Sequence, residues 1–236
     1  MLKVSIVIPA YNEEKSIERT LKSLLKQTYP EYEVVVVDNN SKDRTKEIAQ
    51  KYVRVIDEYK QGYMFAVRRG IEETDGEVIT ICDADSIYPG HWIERMVKPL
   101  GCKGTVATYG TSGFYDTGFF MRIFSLVVYT VFLWISKLFC LDNTAGFNFV
   151  FLRKAYEEVG GYDLNWRWGS PDIELGNRLK KVGKVKLVHT IVKTSSRRFR
   201  KGGFGKTAKM FLHLWWQMVK HKRPDISYED YNKTRR

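Results

Sequence analysis

Two aspartates separated by one residue, Asp83 and Asp85, follow the short apolar run at residues 78–81. Side chains at positions i and i+2 of an extended chain point to the same side, and open α/β sheets bind ligands at the carboxyl ends of their strands. Two such anions repel each other unless a cation lies between them, and carboxylates suit Mg²⁺ and Mn²⁺, which also bridge phosphates. The spacing predicts a divalent metal ion that holds a diphosphate, although a solvated turn also accounts for two such aspartates.

The strands that must position these carboxylates are runs of β-branched and apolar residues, which are typical of strands buried on both faces. They lie at residues 4–8, 34–37, 53–56 and 78–81. Between the first two runs, apolar residues recur at helical spacing at Ile17, Leu21, Leu24 and Leu25. Strands that alternate with helices predict an α/β domain, with a mostly parallel sheet flanked by helices.

Polar residues collect where these strands end, at residues 11–13, 38–39 and 83–85. Helix capping and turn formation explain polar residues after a strand, and this is our interpretation of Ser41 and Asp43. Three polar strand ends on one sheet edge also suit a nucleoside diphosphate. An amide or carboxylate would contact the base, a carboxylate the ribose hydroxyls and a metal ion the phosphates.

Three segments carry a resemblance to a known family. Residues 4–14 read VSIVIPAYNEE, residues 36–43 read VVDNNSKD and residues 82–85 read CDAD. In this order and spacing they resemble the family 2 glycosyltransferases, which have the GT-A fold with a Rossmann-like sheet and use nucleotide-diphosphate sugars. The resemblance covers residues 1–100 and resumes near residue 145. UDP is the favoured nucleotide, but many relatives have Asp where this chain has Asn39, which leaves the choice between uracil and guanine open.

The resemblance also implies roles for individual residues. The nucleotide part of the donor would contact Pro9, Ala10, Tyr11, Glu13, Asp38, Asn39, Arg68, Asp83 and Ala84. Asp85, with Asp83, would hold Mn²⁺ or Mg²⁺. His189 is a further candidate metal ligand because some GT-A enzymes use a late histidine, although a lone histidine in a strand also fits a structural role.

A second acidic motif lies at residues 160–175. Family members often show Gly-Gly-Tyr-Asp and then an acidic pair before a helix. Here Pro171 replaces the first acid of the pair, and Asp172 matches the general base of inverting members. Asp172 would take a proton from an acceptor hydroxyl as the metal-held diphosphate leaves, and burial by tryptophans such as Trp168 would raise its pKa. Favourable electrostatics at a helix start explains an acid here without catalysis.

Residues 119–141 are strongly apolar and aromatic, and the charged residues that interrupt them are Arg122 and Lys137. The uncharged stretch between these two is about 14 residues long, whereas a membrane-spanning helix needs about 20. Three interpretations stay open. The segment is an ordinary core helix, a helix that lies in a membrane surface or lines a lipid acceptor groove, or a short membrane span.

The C-terminal region is basic. Residues 195–206 combine glycines with arginines, which bind phosphate through two parallel hydrogen bonds. We interpret this segment as a loop over the leaving diphosphate or over a lipid phosphate, with Arg197, Arg198 and Trp168 as phosphate or acceptor contacts. A solvated basic loop is the alternative. Residues 210–218 follow a basic amphipathic pattern with tryptophans, which suits an anionic membrane surface or packing against the core.

Composition limits the function classes further. The 236 residues carry a formal net charge of +12, which suits phosphorylated substrates, acidic membranes or nucleic acid. No nucleic-acid recognition motif accompanies this charge, and the first strand is not followed by the glycine-rich phosphate loop of sugar-1-phosphate nucleotidyltransferases. The three cysteines lack metal-ligand spacing and fit a reducing compartment. The N-terminus enters a strand at once, so we expect no signal peptide.

We therefore expect a GT-A catalytic domain at residues 1–203, with a nucleotide-binding half at 1–100 and an acceptor-binding half at 101–203. A basic amphipathic helix and tail at 204–236 follow it. The expected protein is an inverting, metal-dependent glycosyltransferase at the cytoplasmic face of a membrane. Its acceptor would be a polyprenyl phosphate or a lipid-linked glycan. A soluble saccharide or protein acceptor, and a non-catalytic protein that binds sugar nucleotides or nucleic acid, are the alternatives.

Overall fold

The computed structural model describes residues 1–164 and 171–220, which form an eight-stranded sheet flanked by helices. The strands are β1 Val4–Ala10, β2 Tyr32–Asp38, β3 Arg54–Asp57, β4 Val78–Ile81, β5 Ser86–Ile87, β6 Thr105–Phe114, β7 Phe149–Leu152 and β8 Lys184–Thr194. The helices are α1 Ile17–Leu24, α2 Thr45–Gln50, α3 Tyr63–Glu72, α4 Trp92–Val97, α5 Phe119–Leu138, α6 Arg153–Glu158, α7 Pro171–Leu179, α8 Arg197–Gly202 and α9 Phe204–Val219. The strand order across the sheet is β3-β2-β1-β4-β7-β6-β8-β5.

The first four strands form the parallel half of the sheet. β1 pairs in parallel with β2 and with β4, and β2 pairs in parallel with β3. Alternate residues of β1 enter two different cores. Ile6 and Ile8 pack with residues of α1 and α4, whereas Val7 packs with residues of α3 on the other face. Because helices cover both faces, these strands are apolar at nearly every position, which is the pattern that predicted them.

The second half of the sheet is mixed. β7 runs antiparallel to both β4 and β6, while β6 runs parallel to β8. β5 follows directly after Asp85 and pairs antiparallel with the end of β8, so that Ser86 lies opposite Thr194. Four of these seven strand pairings are parallel, and the predicted α/β class with a mostly parallel sheet is confirmed.

The apolar segment forms α5, a helix of 20 residues that packs along β6. Its buried residues are Leu133 and Ser136, whereas Phe120 and Leu138 are 86% and 83% exposed. In the part of the chain that the structure describes, α5 is the one helix long and apolar enough to cross a membrane. It is not an ordinary core helix, because most of its apolar surface faces outward.

The basic amphipathic segment forms α9, which packs on α5. The indole N–H of Trp215 donates to Ser136 Oγ at 2.8 Å, and the Trp215 ring lies 5.6 Å from the ring centroids of both Phe132 and Phe139. The C-terminal helix of the sequence analysis is thus present over 204–219, in contact with the domain before it. Residues 221–236 lie outside the described residues, and the division at residue 203 stays a prediction.

Candidate active site

The carboxyl ends of β1 and β2 lie side by side and form one wall of the site. Ala10 is opposite Asp38 in the parallel register and both are buried, while Pro9 and Tyr11 are partly exposed to solvent at the same edge, Tyr11 by 37%. Asp38 Oδ2 accepts a hydrogen bond from the N–H of Ser41 at 3.1 Å. Asp38 Oδ1 is buried and has no hydrogen-bond partner among residues 1–164 and 171–220. A buried acceptor without a donor costs free energy, so Asp38 is suited to accept a hydrogen bond from a ligand.

The turn after β1 is held against the loop after β2. Asn12 has a φ of 55°, and its backbone N–H donates to Ser41 Oγ at 3.1 Å. The N–H of Glu13 donates to Thr45 Oγ1 at 2.7 Å, and the next N–H along the chain donates to Asp43 Oδ2 at 3.1 Å. Ser41 and Asp43 therefore make the turn contacts that we expected of them. They fix the position of Glu13 next to the site.

Asn39 holds the loop that follows β3. Its side-chain Nδ2 donates to the carbonyl oxygens of Glu58 and Lys60, each at 2.8 Å, and its Oδ1 accepts from the N–H of Gly62 at 2.7 Å. The side chain thus uses both of its amide hydrogens within the chain and leaves neither to donate to a nucleobase. An aspartate here could not donate to the two carbonyls, which gives a structural reason for asparagine at this position.

Asp85 and Glu13 share one cationic side chain, that of Arg197. Arg197 Nη2 lies 3.0 Å from Asp85 Oδ2 and 2.5 Å from Glu13 Oε1, and its Nη1 lies 3.1 Å from Glu13 Oε2. Asp85 is buried, and Asp83 is half-buried. The structure thus brings the second aspartate of the D-x-D pair, the acid after β1 and one arginine of the basic segment to the same place.

The chemistry of Asp83 and Asp85 fits a hard divalent cation. Their donors are carboxylate oxygens, and Asp85 already binds a positively charged group at 3.0 Å. Residues 1–164 and 171–220 contain no group of three or more His, Cys, Asp or Glu side chains able to hold a metal ion. The chain would therefore supply two carboxylates, while phosphate and water oxygens complete the coordination, as is usual for Mg²⁺ beside phosphates.

Arg68, His189 and Arg198, three of the predicted site residues, have other neighbours in the structure. Arg68 forms an ion pair at 3.5 Å with an acid one turn further along α3. His189 is exposed in β8 and lines a cavity of about 420 Å³ between α4, α5 and the sheet. The guanidinium of Arg198 lies 5.8 Å from the ring centroid of Phe211 on α9. Trp168 lies outside the described residues.

Asp172 lies in the first turn of α7, and three neighbours fix its position. The hydroxyl of Tyr162 donates to Asp172 Oδ1 at 2.7 Å, and Thr144 Oγ1 donates to the backbone oxygen of Asp172 at 2.6 Å. Gly146 lies against the carboxylate, because a Cβ at this glycine would be 2.8 Å from Asp172 Oδ2. Asp172 was predictable from the acidic motif. The other three carry no signal beyond their place in the segments GGYD and TAGF.

The surroundings of Asp172 change its acidity. Burial and, to a smaller extent, the negative charge of Asp83 raise the pKa of Asp172 to about 6, while the hydrogen bond from Tyr162 acts in the opposite direction. The effect of Asp83 means that Asp172 lies within electrostatic reach of the end of β4. A carboxylate with a pKa near neutrality is suited to accept a proton from a hydroxyl group.

Glu174, the other acid in this turn of helix, has a structural role. Arg178 Nε and Nη2 each lie 2.6 Å from a carboxylate oxygen of Glu174, and Arg178 Nη1 donates to the carbonyl oxygens of Val159 and Gly161 at 2.7 and 2.6 Å. The ion pair therefore ties α7 to the glycine turn at residues 160–161, both of which have positive φ. This turn directly precedes Tyr162, the hydrogen-bond partner of Asp172.

The chain is similar to known proteins in sequence and in fold. The glycosyltransferase AglE of Haloferax volcanii is 37% identical over 125 residues, which cover 49% of this chain and 41% of AglE. The dolichol-phosphate mannosyltransferase of Pyrococcus furiosus is 37% identical over 106 residues, which cover 42% of this chain and 30% of that protein. The chain thus spans less than half the length of these relatives.

The solved structures show the same architecture. The mannosyltransferase PcManGT from Pyrobaculum calidifontis, in complex with GDP-Man and Mn²⁺, matches with a TM-score of 0.71 at 18% identity, over 99% of this chain and 68% of PcManGT. This match confirms the predicted GT-A fold. The sequence model of glycosyl transferase family 2 matches residues 5–160, which include Asp38, Asp83 and Asp85. On the evidence of this match and of the fold, the chain belongs to glycosyl transferase family 2.

Proposed function

We propose that this protein transfers a sugar from a nucleotide-diphosphate sugar to a hydroxyl group of a lipid-linked glycan, with inversion at the anomeric carbon. One observation carries the proposal. Asp172 is a carboxylate with a pKa of about 6 that is held by Tyr162 and lies within electrostatic reach of Asp83. These features support a role for Asp172 as general base near the acidic strand end, where α/β sheets bind ligands. Membership of family 2 supports the reaction class.

The donor would bind across the carboxyl ends of β1, β2 and β4. Asp38, whose Oδ1 is buried, would accept a hydrogen bond from the nucleoside. The remaining nucleotide contacts would come from Pro9, Ala10, Tyr11, Glu13 and Ala84. Asp83 and Asp85 would hold Mn²⁺ or Mg²⁺, which supplies positive charge for the leaving diphosphate. Asn39 would act indirectly by holding residues 58–62 beside the pocket.

In the proposed reaction Asp172 accepts the proton of the acceptor hydroxyl. The oxygen forms a bond to the anomeric carbon from the face opposite the donor phosphate. The bond between that carbon and the phosphate oxygen breaks, and its electron pair leaves with the nucleoside diphosphate. Tyr162 keeps the carboxylate oriented during this step through its hydrogen bond of 2.7 Å. A phosphate acceptor is already ionised and needs no base, so the presence of this carboxylate favours a hydroxyl acceptor.

The case for a lipid-linked acceptor rests on the surface formed by α5 and α9, here called the apolar face. Large side chains of this face are at least 40% exposed at Phe119, Phe120, Ile123, Phe124, Val127, Val128, Val131, Trp134, Ile135, Leu138, Leu212 and Trp216. A continuous apolar surface of this kind marks an interaction site. A helix that packs on β6 through one side while its other side is apolar suits a position within a membrane surface.

Charge supports the same proposal. Residues 175–224, which include α9, contain fifteen Lys and Arg residues and no Asp or Glu. Such a region is attracted to anionic lipids on the cytoplasmic leaflet, and the three free cysteines agree with the reducing cytoplasm. The name of one relative, a dolichol-phosphate mannosyltransferase, points to lipid-linked substrates in that protein. We therefore place the protein peripherally on the cytoplasmic face of a membrane.

We expect the protein to float with vesicles that contain an anionic lipid such as phosphatidylglycerol. The double variant Phe120→Ser/Leu138→Ser should reduce the partition coefficient about tenfold, because it removes two exposed apolar side chains from contact with lipid. Tyr59→Ser is the matched control, since Tyr59 is 80% exposed but lies outside the apolar face. Equal flotation of both variants, or no flotation of the unaltered protein, would contradict the membrane placement.

A screen of UDP- and GDP-linked sugars tests the proposed activity itself. With Mn²⁺ or Mg²⁺ present, we expect one donor to raise the unfolding temperature and to release its nucleoside diphosphate when a lipid-linked glycan is added. EDTA should abolish the release, because the paired aspartates then lack the cation that binds the diphosphate. If no nucleotide sugar binds or is cleaved when metal is supplied, the proposed function is wrong.

A further inference from the structure

Arg197 lies at a junction that the fold builds from distant parts of the chain. The segment after Asp85 forms β5, and its pairing with the end of β8 places Ser86 opposite Thr194. The chain leaves this pair of strands and enters α8, whose first residue is Arg197. Residues 112 positions apart in sequence thereby form the contact of 3.0 Å between the guanidinium and Asp85 Oδ2.

The position of α8 does not depend on that contact alone. Asp116, two residues after the end of β6, accepts hydrogen bonds from the N–H of Ser196 at 2.7 Å, from Ser195 Oγ at 2.8 Å and from Arg200 Nη2 at 2.9 Å. These bonds fix the start of the helix and its opposite side. The side chain of Arg197 can therefore leave Asp85 while the helix backbone stays attached to the sheet.

We propose that Arg197 is an internal counter-ion that competes with the divalent metal for Asp85, and that it transfers to the diphosphate when the metal binds. The inference rests on the proposed metal site. It adds that a side chain of the basic residues 195–206 controls metal binding at this site. Glu13, which binds the same guanidinium at 2.5 and 3.1 Å, is the second partner that holds Arg197 in place before this exchange.

The competition follows from geometry and charge. A divalent metal lies about 2.1 Å from a carboxylate oxygen, whereas the guanidinium nitrogen already lies 3.0 Å from Asp85 Oδ2. Both groups are positive and approach the same buried carboxylate, whose side chain is 8% exposed, so solvent screens their repulsion poorly. Binding of one cation to Asp85 therefore disfavours the other.

The diphosphate changes this balance. Its oxygens bind the metal and also offer an arginine two parallel acceptors, so a guanidinium displaced from Asp85 gains a new anionic partner close by. Metal alone should therefore bind weakly, because Arg197 must give up its contact with Asp85 without gaining a new anionic partner. Metal and nucleoside diphosphate should strengthen each other's binding, and this coupling should depend on Arg197.

The test is a titration of the full chain with Mn²⁺, followed through the electron paramagnetic resonance signal of unbound Mn²⁺. We expect Arg197→Gln to tighten the binding of Mn²⁺ alone about tenfold, since the competing charge is gone. The same variant should weaken the enhancement of Mn²⁺ binding by added UDP or GDP. Arg197→Lys, which keeps the charge, should stay within about twofold of the unaltered protein in the first titration.

Arg200→Gln is the matched control, because it removes an equal charge from the same helix but from the contact with Asp116. It should leave both titrations nearly unchanged. Arg197→Met, which keeps the aliphatic stem, replaces Arg197→Gln should the latter lower the folded fraction.

Two outcomes overturn the inference and are distinguishable. If the unaltered protein binds Mn²⁺ and Arg197→Gln or Arg197→Met binds it equally or more weakly, Arg197 does not compete with the metal, and the proposed function stands. If neither the unaltered protein nor any variant binds Mn²⁺ with or without UDP or GDP, the metal site itself is wrong, and the inference fails with it.

Discussion

Asp172→Asn should lower turnover with a hydroxyl acceptor about 10³-fold, which is the usual scale of general-base catalysis. Asparagine has nearly the same shape, and its amide oxygen can still accept the hydrogen bond that Tyr162 donates at 2.7 Å. It cannot take the proton of the acceptor. The dissociation constant of the nucleotide sugar, measured by calorimetry with metal present, should change by less than about threefold, because the removed charge lies on the acceptor side.

The loss of turnover in this variant should not come from unfolding. Burial raises the pKa of Asp172 from 3.8 to about 6, so the native state binds this proton more tightly than the unfolded state does. The ionised carboxylate is therefore a cost to the native state, and stability decreases as the pH rises from about 4 to about 6. Asp172→Asn removes this cost, so its unfolding temperature at pH 7.5 should equal or exceed that of the unaltered protein.

The same pKa predicts the pH dependence of the reaction. The base must be deprotonated, so kcat/KM of the unaltered protein should fall about tenfold for each pH unit below about 6. The residual activity of Asp172→Asn should lack this decrease. Turnover of the variant close to that of the unaltered protein would reject Asp172 as the base and favour an ionised phosphate acceptor such as a polyprenyl phosphate.

The parts of this site that were predictable from the sequence are those whose signal is local. A β-branched run followed by two aspartates predicts that Asp83 and Asp85 lie at the end of a buried strand, and this prediction needs no information from the rest of the chain. The same holds for Asp38 after β2. The type of each residue and its position after an apolar run are enough to predict its place at a strand end.

The contacts that complete the site depend on distant parts of the chain. Arg197 reaches Asp85 because β5 pairs with β8, and no pattern near either residue predicts that pairing. Asn39 binds a loop about twenty residues further along, so its role as a loop support cannot be read from the strand end alone. For α5, composition gives the apolar character, but whether the apolar side faces a core or the outside is decided by β6, on which the helix packs.

Asp85→Asn should weaken the metal-dependent binding of the nucleotide sugar by about two orders of magnitude, because one of two anionic metal ligands becomes neutral. The measurement is calorimetry of UDP or GDP binding with Mn²⁺ and again with EDTA. In EDTA the variant should bind the nucleotide no more weakly than the unaltered protein, because Arg197 is then freer to bind the diphosphate, whereas in Mn²⁺ it should bind the nucleotide more weakly. Only a role in metal binding produces this pattern, since general damage to the pocket would weaken binding in both conditions.

Asp75→Asn is the matched control for this experiment. Asp75 precedes β4 and lies at the opposite end of the strand, where it pairs with Lys3. It carries the same charge but no predicted ligand. Equal effects of Mn²⁺ on nucleotide binding in Asp85→Asn and in the control would show that the strand end does not hold the cation. The carboxylate of Asp85 would then serve mainly as the partner of Arg197, and diphosphate binding would depend on arginine rather than on metal.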